Sequence, residues 1–192
     1  MFTYYLGKNT IDILIKMKNL LKYSLEGRYK MKKVGIITFH NSYNCGSMLE
    51  TYAMQEIIKK GGLNPEIVNF SSPGQISLYT AWFKNNSVKN IVKNILISPY
   101  IEHIKSNNEK YIEFQKKYFY ISKFIMDSSN LKDEEYDTVI SGSDQIWNIT
   151  IDDYDDAYFL NWVKNAKRVA YSPSFGSKNI LKYSDKPKKI RN

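Results

Sequence analysis

Cysteine is nearly missing from this chain: Cys45 stands alone among 192 residues, which excludes an intrachain disulfide and any cysteine-based metal cluster. Histidine is almost as scarce. With only His40 and His103 available, and His103 without Cys, His or paired acids at ligand spacing, no metal site is expected. Glycine never falls into a G-x-G-x-x-G or phosphate-loop pattern, so the sequence supports neither a nicotinamide nor an ATP cofactor. No apolar run reaches eighteen residues, so no membrane-spanning helix is predicted. The first residues also lack a small-residue cleavage pattern, and the cytoplasm is the expected compartment.

What is present is a chain with 43% apolar residues, enough for one substantial core at a size where folding removes about 70% of the unfolded surface from water. The formal net charge is +9, a value compatible with nucleic acid, anionic lipid or an anionic small substrate. Its lysines are scattered rather than gathered with arginine into a stripe, and no aromatic RNA-binding signature accompanies them; no nucleic-acid partner is expected. Abundant Lys, Asn, Ile and Tyr also fit biased codon usage.

Residues 1–30 read as an amphipathic helical extension, with Ile11, Leu14, Ile15, Lys18, Leu21, Lys22 and Leu25 at helical spacing. The pattern suits a helix lying on an anionic membrane face, a helix packed on the domain, or upstream sequence before Met31. Residues 31–180 then read as one Rossmann-like domain. Val34 to Phe39 is a continuous apolar strand, His40 to Gly46 a polar loop, and Ser47 with Glu50 a capping box opening a helix to Lys60 that Gly61 and Gly62 end. Pro65 to Phe70 reads as a second strand. Helices are expected at Val88 to Ile97 and Ile101 to Tyr118, in a middle stretch carrying no recognisable chemistry. Thr138 to Ile140 and Arg168 to Ser172 complete four strands, and residues 181–192 form a basic tail. The fold class expected is α/β, a doubly wound, mostly parallel sheet with flanking helices. Its ligand would sit outside the carboxyl ends of the strands, on loops 40–46, 141–148 and 172–176.

The first of those loops leads into a helix whose free N–H groups can hold a phosphate, carboxylate or sugar hydroxyl; an ordinary strand-to-helix turn explains it equally. Cys45 could act as a nucleophile with His40 as base, or be a small packing residue. In the loop after the third predicted strand, Asp144 is flanked by Ser143, Gln145, Trp147 and Asn148. Asp144 there suits a general base on a sugar hydroxyl, and Trp147 a flat face for a pyranose; the alternatives are a turn cap and a core residue.

Several strings occur in one order and spacing: Gly35-Ile36-Ile37-Thr38-Phe39-His40, the Asn41 to Gly46 loop leading to Leu49-Glu50-Thr51-Tyr52-Ala53-Met54-Gln55, Gly142 to Asn148, Tyr158-Phe159-Leu160, and Tyr171 to Gly176. Together they resemble the polysaccharide pyruvyl transferase family over roughly Met31 to Gly176, with Gly-Ser-Asp-Gln-Ile-Trp-Asn the most specific. The resemblance implies the amino-terminal half of a two-domain, glycosyltransferase-B-like architecture. It implies transfer of the pyruvyl group of phosphoenolpyruvate to sugar hydroxyls of a cell-surface glycan or lipid-linked sugar, in exopolysaccharide biosynthesis, with no cofactor beyond that donor substrate. On this basis Asp144 is expected to be catalytic. His40, Asn41, Tyr43, Asn44, Gly46, Ser143, Gln145, Trp147, Asn148, Ser172, Ser174 and Phe175 are expected to bind substrate. The family's donor-binding cations lie largely in a second domain, so the chain is expected to be truncated, or to act with a partner or a second copy of itself, its uncovered face exposed and apolar. Peripheral contact with the inner membrane face fits the basic extension. The other readings are a non-catalytic sugar- or partner-binding half-domain and a nucleotide-sugar glycosyltransferase.

Overall fold

The computed structural model describes Thr3–Tyr4, residues 32–80, residue 83 and residues 86–176. At its centre is an all-parallel sheet of five strands: β1 (Thr3–Tyr4), β2 (Lys33–Ile37), β3 (Asn64–Ile67), β4 (Thr138–Gly142) and β5 (Lys167–Tyr171), in the order β1-β5-β4-β2-β3. The expected α/β Rossmann-like arrangement is present, with every strand parallel. The described residues form four α-helices: α1 (Cys45–Lys60), α2 (Pro73–Leu78), α3 (Val88–Ile97) and α4 (Ile101–Tyr118). The pattern between Ile11 and Leu25 and the basic tail lie outside the described residues. None of the described helices is long and apolar enough to cross a membrane.

Why β2 is central follows from its composition. Val34, Ile36 and Ile37 are buried, and the strand pairs with β3 on one side and β4 on the other, as a continuous apolar run predicts for a strand covered on both faces. Val34 and Ile36 meet Met54 and Ile58 of α1. Ile37 and Val139 look to the opposite face, where Trp147, Tyr158, Leu160 and Val163 complete the core with Phe39 and Phe70. Segment 143–163 covers that face with turns and one 3-10 turn, Asp156–Phe159, instead of an α-helix. Tyr158 stands edge-on to Phe39 at 5.1 Å and to Phe70 at 5.7 Å, geometry worth about 0.5–1.5 kcal/mol per pair beyond area burial.

Two local expectations are corrected, and the helix end between them is as expected. Helix α1 starts at Cys45, and its N-cap is Asn44, whose Oδ1 accepts from the Gly46 N–H at 2.8 Å. Ser47 therefore lies inside the first turn, and its hydroxyl is used elsewhere. At the other end Gly62, at φ 76°, takes the left-handed position; its N–H donates to Lys59 O and that of Leu63 to Ile58 O, the paired bonds of a Schellman cap. The β3 ladder stops at Ile67 instead of Phe70. Beyond it, the Asn69 N–H donates to Ser122 Oγ at 3.0 Å, so a side chain interrupts the ladder, and residues 120–125 run alongside through isolated bridges at Ile67–Ile121 and Phe70–Ile125. Both middle helices fall where their periodicity placed them.

β5 is fixed at its start by Asp133, a buried carboxylate. One oxygen, Oδ2, accepts the backbone N–H groups of Lys164, Asn165 and Ala166 at 2.8, 2.5 and 2.8 Å. Burial works to raise the pKa of this carboxyl, but the three donors outweigh it and hold it below the usual range. Apolar exposure is concentrated on α3, where Val88, Ile95 and Leu96 are each about two-thirds or more exposed.

Candidate functional site

From β2 the chain moves to β3 on one side, whereas β4 lies on β2's other side. The connections leaving the carboxyl ends of β2 and β4 thus part company, which opens a crevice at this point of the sheet. Loop 38–44, loop 143–148 and loop 172–176 surround it. Their backbones come close because glycine permits it: a Cβ on Gly142, at φ 152°, would lie 2.0 Å from Tyr171 O. The Ser174 N–H donates to Asp144 O at 2.8 Å, tying the β5 loop to the β4 loop.

Asp144 is the junction of the crevice. Its backbone is left-handed, at φ 72°, and its half-buried carboxylate accepts the Ser47 hydroxyl at 2.9 Å through Oδ2 and the Gln145 N–H at 2.7 Å through Oδ1. The Ser47 bond joins the first turn of α1 to the β4 loop across 97 residues of sequence. Glu50 and Asp153 stand near enough to feel this charge. Burial first, and the Asp144 charge in addition, push both of their carboxyls above the ordinary range. Tyr79 is likewise raised by burial, then by Asp153, with a smaller push from Asp144. The neighbourhood is electronegative.

Around Asp144 the fold gathers half-buried Ser143, exposed Gln145, and Ser172, Ser174 and Phe175 on the outer loop. Three expected ligand-binding side chains go inward instead. His40 is fully buried, its Nδ1 3.2 Å from Thr38 O and its Nε2 3.1 Å from Asn69 Oδ1, and burial lowers its pKa despite both contacts. A ring so enclosed offers no nitrogen to a substrate, and none to Cys45, whose thiol is exposed rather than packed. Trp147 is also buried; its Nε1 donates to Tyr158 O at 3.0 Å, and its ring stacks on Phe159 at 5.1 Å. The indole resolves as a core residue, not a platform, because the apolar face of the sheet needs a lid there. Asn148, buried as well, caps the next turn through Oδ1, which accepts from Thr150 N and Oγ1 at 3.1 and 2.6 Å. Asn44 and Gly46 are exposed and serve the start of α1.

Asn41 and Tyr43 belong to an adjoining cleft of about 310 Å³, with Ser71, Gln75, Ile76, Tyr79, Thr80 and Asn108. Gln115 of α4 steadies its rim, its Nε2 donating to His40 O at 2.9 Å and Asn41 Oδ1 at 3.2 Å, while Asn41 Nδ2 donates to Ser71 Oγ at 3.0 Å. Tyr43 lies between Tyr79 and Tyr111, both centroids 5.7 Å away. Amides, hydroxyls and phenols line this cleft, with no charged side chain among its lining residues. A neutral, polar wall with aromatic edges suits the hydroxyls and the C–H face of a sugar; it gives an anionic group no counter-charge. Most of these residues come from the middle stretch in which the sequence showed no chemistry. The one available signal was Ser71-Ser72-Pro73 directly after a strand, the start of a helix at a carboxyl end.

Among the described residues no group of His, Cys, Asp and Glu side chains is placed to hold a metal ion. In comparison with known families, residues 44–191 match the model described as polysaccharide pyruvyl transferase. No curated protein and no solved structure matches the chain.

Proposed function

The chain belongs to the polysaccharide pyruvyl transferase family, and from that premise we propose that its crevice is the acceptor side of an enzyme that moves the pyruvyl group of phosphoenolpyruvate onto a glycan as a ketal. The observation carrying this reading is the Ser47–Asp144 contact at the carboxyl ends of β2 and β4, set beside a neutral polar cleft. In the overall reaction the enol carbon of the donor gains one proton to become a methyl group. Its central carbon forms two C–O bonds to a pair of sugar hydroxyls, and the bond to phosphate oxygen breaks. Two hydroxyl protons are released; one is matched by the methyl hydrogen and the other leaves with hydrogen phosphate.

Asp144 is the group placed to receive a hydroxyl proton. Ser47 and the Gln145 N–H occupy one lone-pair direction on each of its oxygens, which orients the carboxylate and leaves the remaining directions for a substrate hydroxyl. The electronegative surroundings of Glu50, Asp144 and Asp153 favour hydroxyl donors and disfavour a phosphate or carboxylate. The donor's anionic groups are therefore held by cations away from this crevice. Phosphate release from phosphoenolpyruvate, measured with and without oligosaccharide acceptors, tests the reading. In a longer version that also carries the donor-binding half, acceptor-dependent release is expected, falling about 100-fold or more in Asp144→Asn. Unchanged turnover in that variant would reduce Asp144 to a turn cap. Calorimetric sugar binding without phosphate release would identify a non-catalytic sugar-binding protein, and affinity for a nucleotide-sugar in place of phosphoenolpyruvate would identify a glycosyltransferase.

A further inference from the structure

We infer that Gln75 is the recognition element of a sugar subsite in the cleft beside Asp144, reading a pair of neighbouring hydroxyls on a neutral pyranose. The inference rests on the acceptor reading above and extends it to a second region of the fold. Gln75 is 1% exposed, and neither its Nε2 nor its Oε1 has a hydrogen-bond partner. Its backbone is fully used, the N–H donating to Ser72 Oγ at 3.1 Å and the carbonyl accepting from Tyr79 N at 3.3 Å. The side-chain amide alone is orphaned, and Gln75 is among the residues that line the cleft.

A buried amide without partners opposes folding, since two donors and an acceptor have left water for nothing in return. An apolar side chain of similar length would serve the core better. What the amide fits is a ligand with a donor and an acceptor side by side, the pattern two vicinal hydroxyls present. The space matches: about 310 Å³ lies at the lower end of small-molecule sites and greatly exceeds the ~30 Å³ share of one water. Ser71, Thr80 and Asn108 add hydroxyl and amide groups to the lining of the same cleft, and Tyr43 and Tyr79 provide aromatic edges for a C–H face. Because the lining carries no charge, phosphate gains nothing there.

The test is a titration of the 15N-labelled chain with methyl β-D-glucopyranoside and methyl β-D-galactopyranoside, with inorganic phosphate as anionic control. The Gln75 side-chain NH₂ signal is assigned by its disappearance in Gln75→Met. A saturable shift of that signal with a pyranoside and none with phosphate is expected. Gln75→Met is expected to bind at least tenfold more weakly while melting no lower than the parent. Should Gln75→Met fail to fold, Thr80→Val carries the affinity comparison, and the shift in the parent protein still decides. Shifts confined to the Ser143 and Gln145 amides would overturn the Gln75 assignment and leave the acceptor reading standing. So would equal binding by Gln75→Met or a response to phosphate. No response of any signal to either sugar would overturn both.

Discussion

Asp133→Ala isolates one structural device from the chemistry of the crevice. In the native protein one carboxylate oxygen gathers three N–H donors from residues 164–166, just before β5. Hydrogen bonds to a charged group contribute about 1.5–3 kcal/mol each, but a simple sum overstates the effect. The three share a single oxygen, and Lys164 and Asn165 are exposed enough for their donors to turn to water. A loss of about 2–4 kcal/mol is expected, which lowers the melting temperature by about 5–15 °C in a protein of this size. Asp133→Asn keeps an acceptor without the charge and should cost about half as much. The pH dependence is a second signature. Because the folded pKa lies below the ordinary value, the unfolded chain takes up the proton first as pH falls. The stabilisation is therefore complete above the unfolded value of about 4 and disappears as pH drops through the folded one. Melting curves followed by circular dichroism from pH 7 to pH 2 should show the gap between parent and Asp133→Asn closing at the acid end. A variant melting within 2 °C of the parent at pH 7, as an order-of-magnitude threshold, or a gap independent of pH, would refute the assignment of a charged clamp.

Two further predictions concern the core and the cleft. Tyr158 is fully buried and its hydroxyl has no partner, so Tyr158→Phe should melt at or above the parent temperature; a loss of more than about 1 kcal/mol in denaturant titration would reveal a bonded hydroxyl. A Cβ on Gly74 would lie 1.8 Å from Asp152 O, so Gly74→Ala must push α2 away from the 152–153 turn at a cost of about 1–3 kcal/mol. Since α2 carries Gln75, pyranoside affinity should fall with stability, and unchanged affinity would show that α2 does not set the cleft.

The sheet was legible because its strands declare themselves locally. Val34, Ile36 and Ile37 can only be buried on two faces, and Gly61 and Gly62 end α1 by backbone preference, whereas its start, capped by the Asn44 side chain, read from the sequence as Ser47. Ser141 to Asn148 marked a loop at a strand's end, and Asp144 does stand at the junction of two loops. The same string could not say which of its polar and aromatic side chains face outward. Trp147 and Asn148 are drawn inward because the second face of the sheet has no α-helix over it and takes its cover from segment 143–163.

Residue types and their order determined the parallel α/β class, the family, and the carboxyl-end loops where a ligand would sit. Tertiary structure alone decided that Ser47 turns from its own helix cap to Asp144, that His40 is enclosed, and that Gln75, far from every motif, reaches the cleft with its amide unpaired. The reason is physical. Strand and cap preferences act over a few residues, whereas burial and hydrogen-bond satisfaction are settled by groups tens of residues apart that meet only when the sheet has formed.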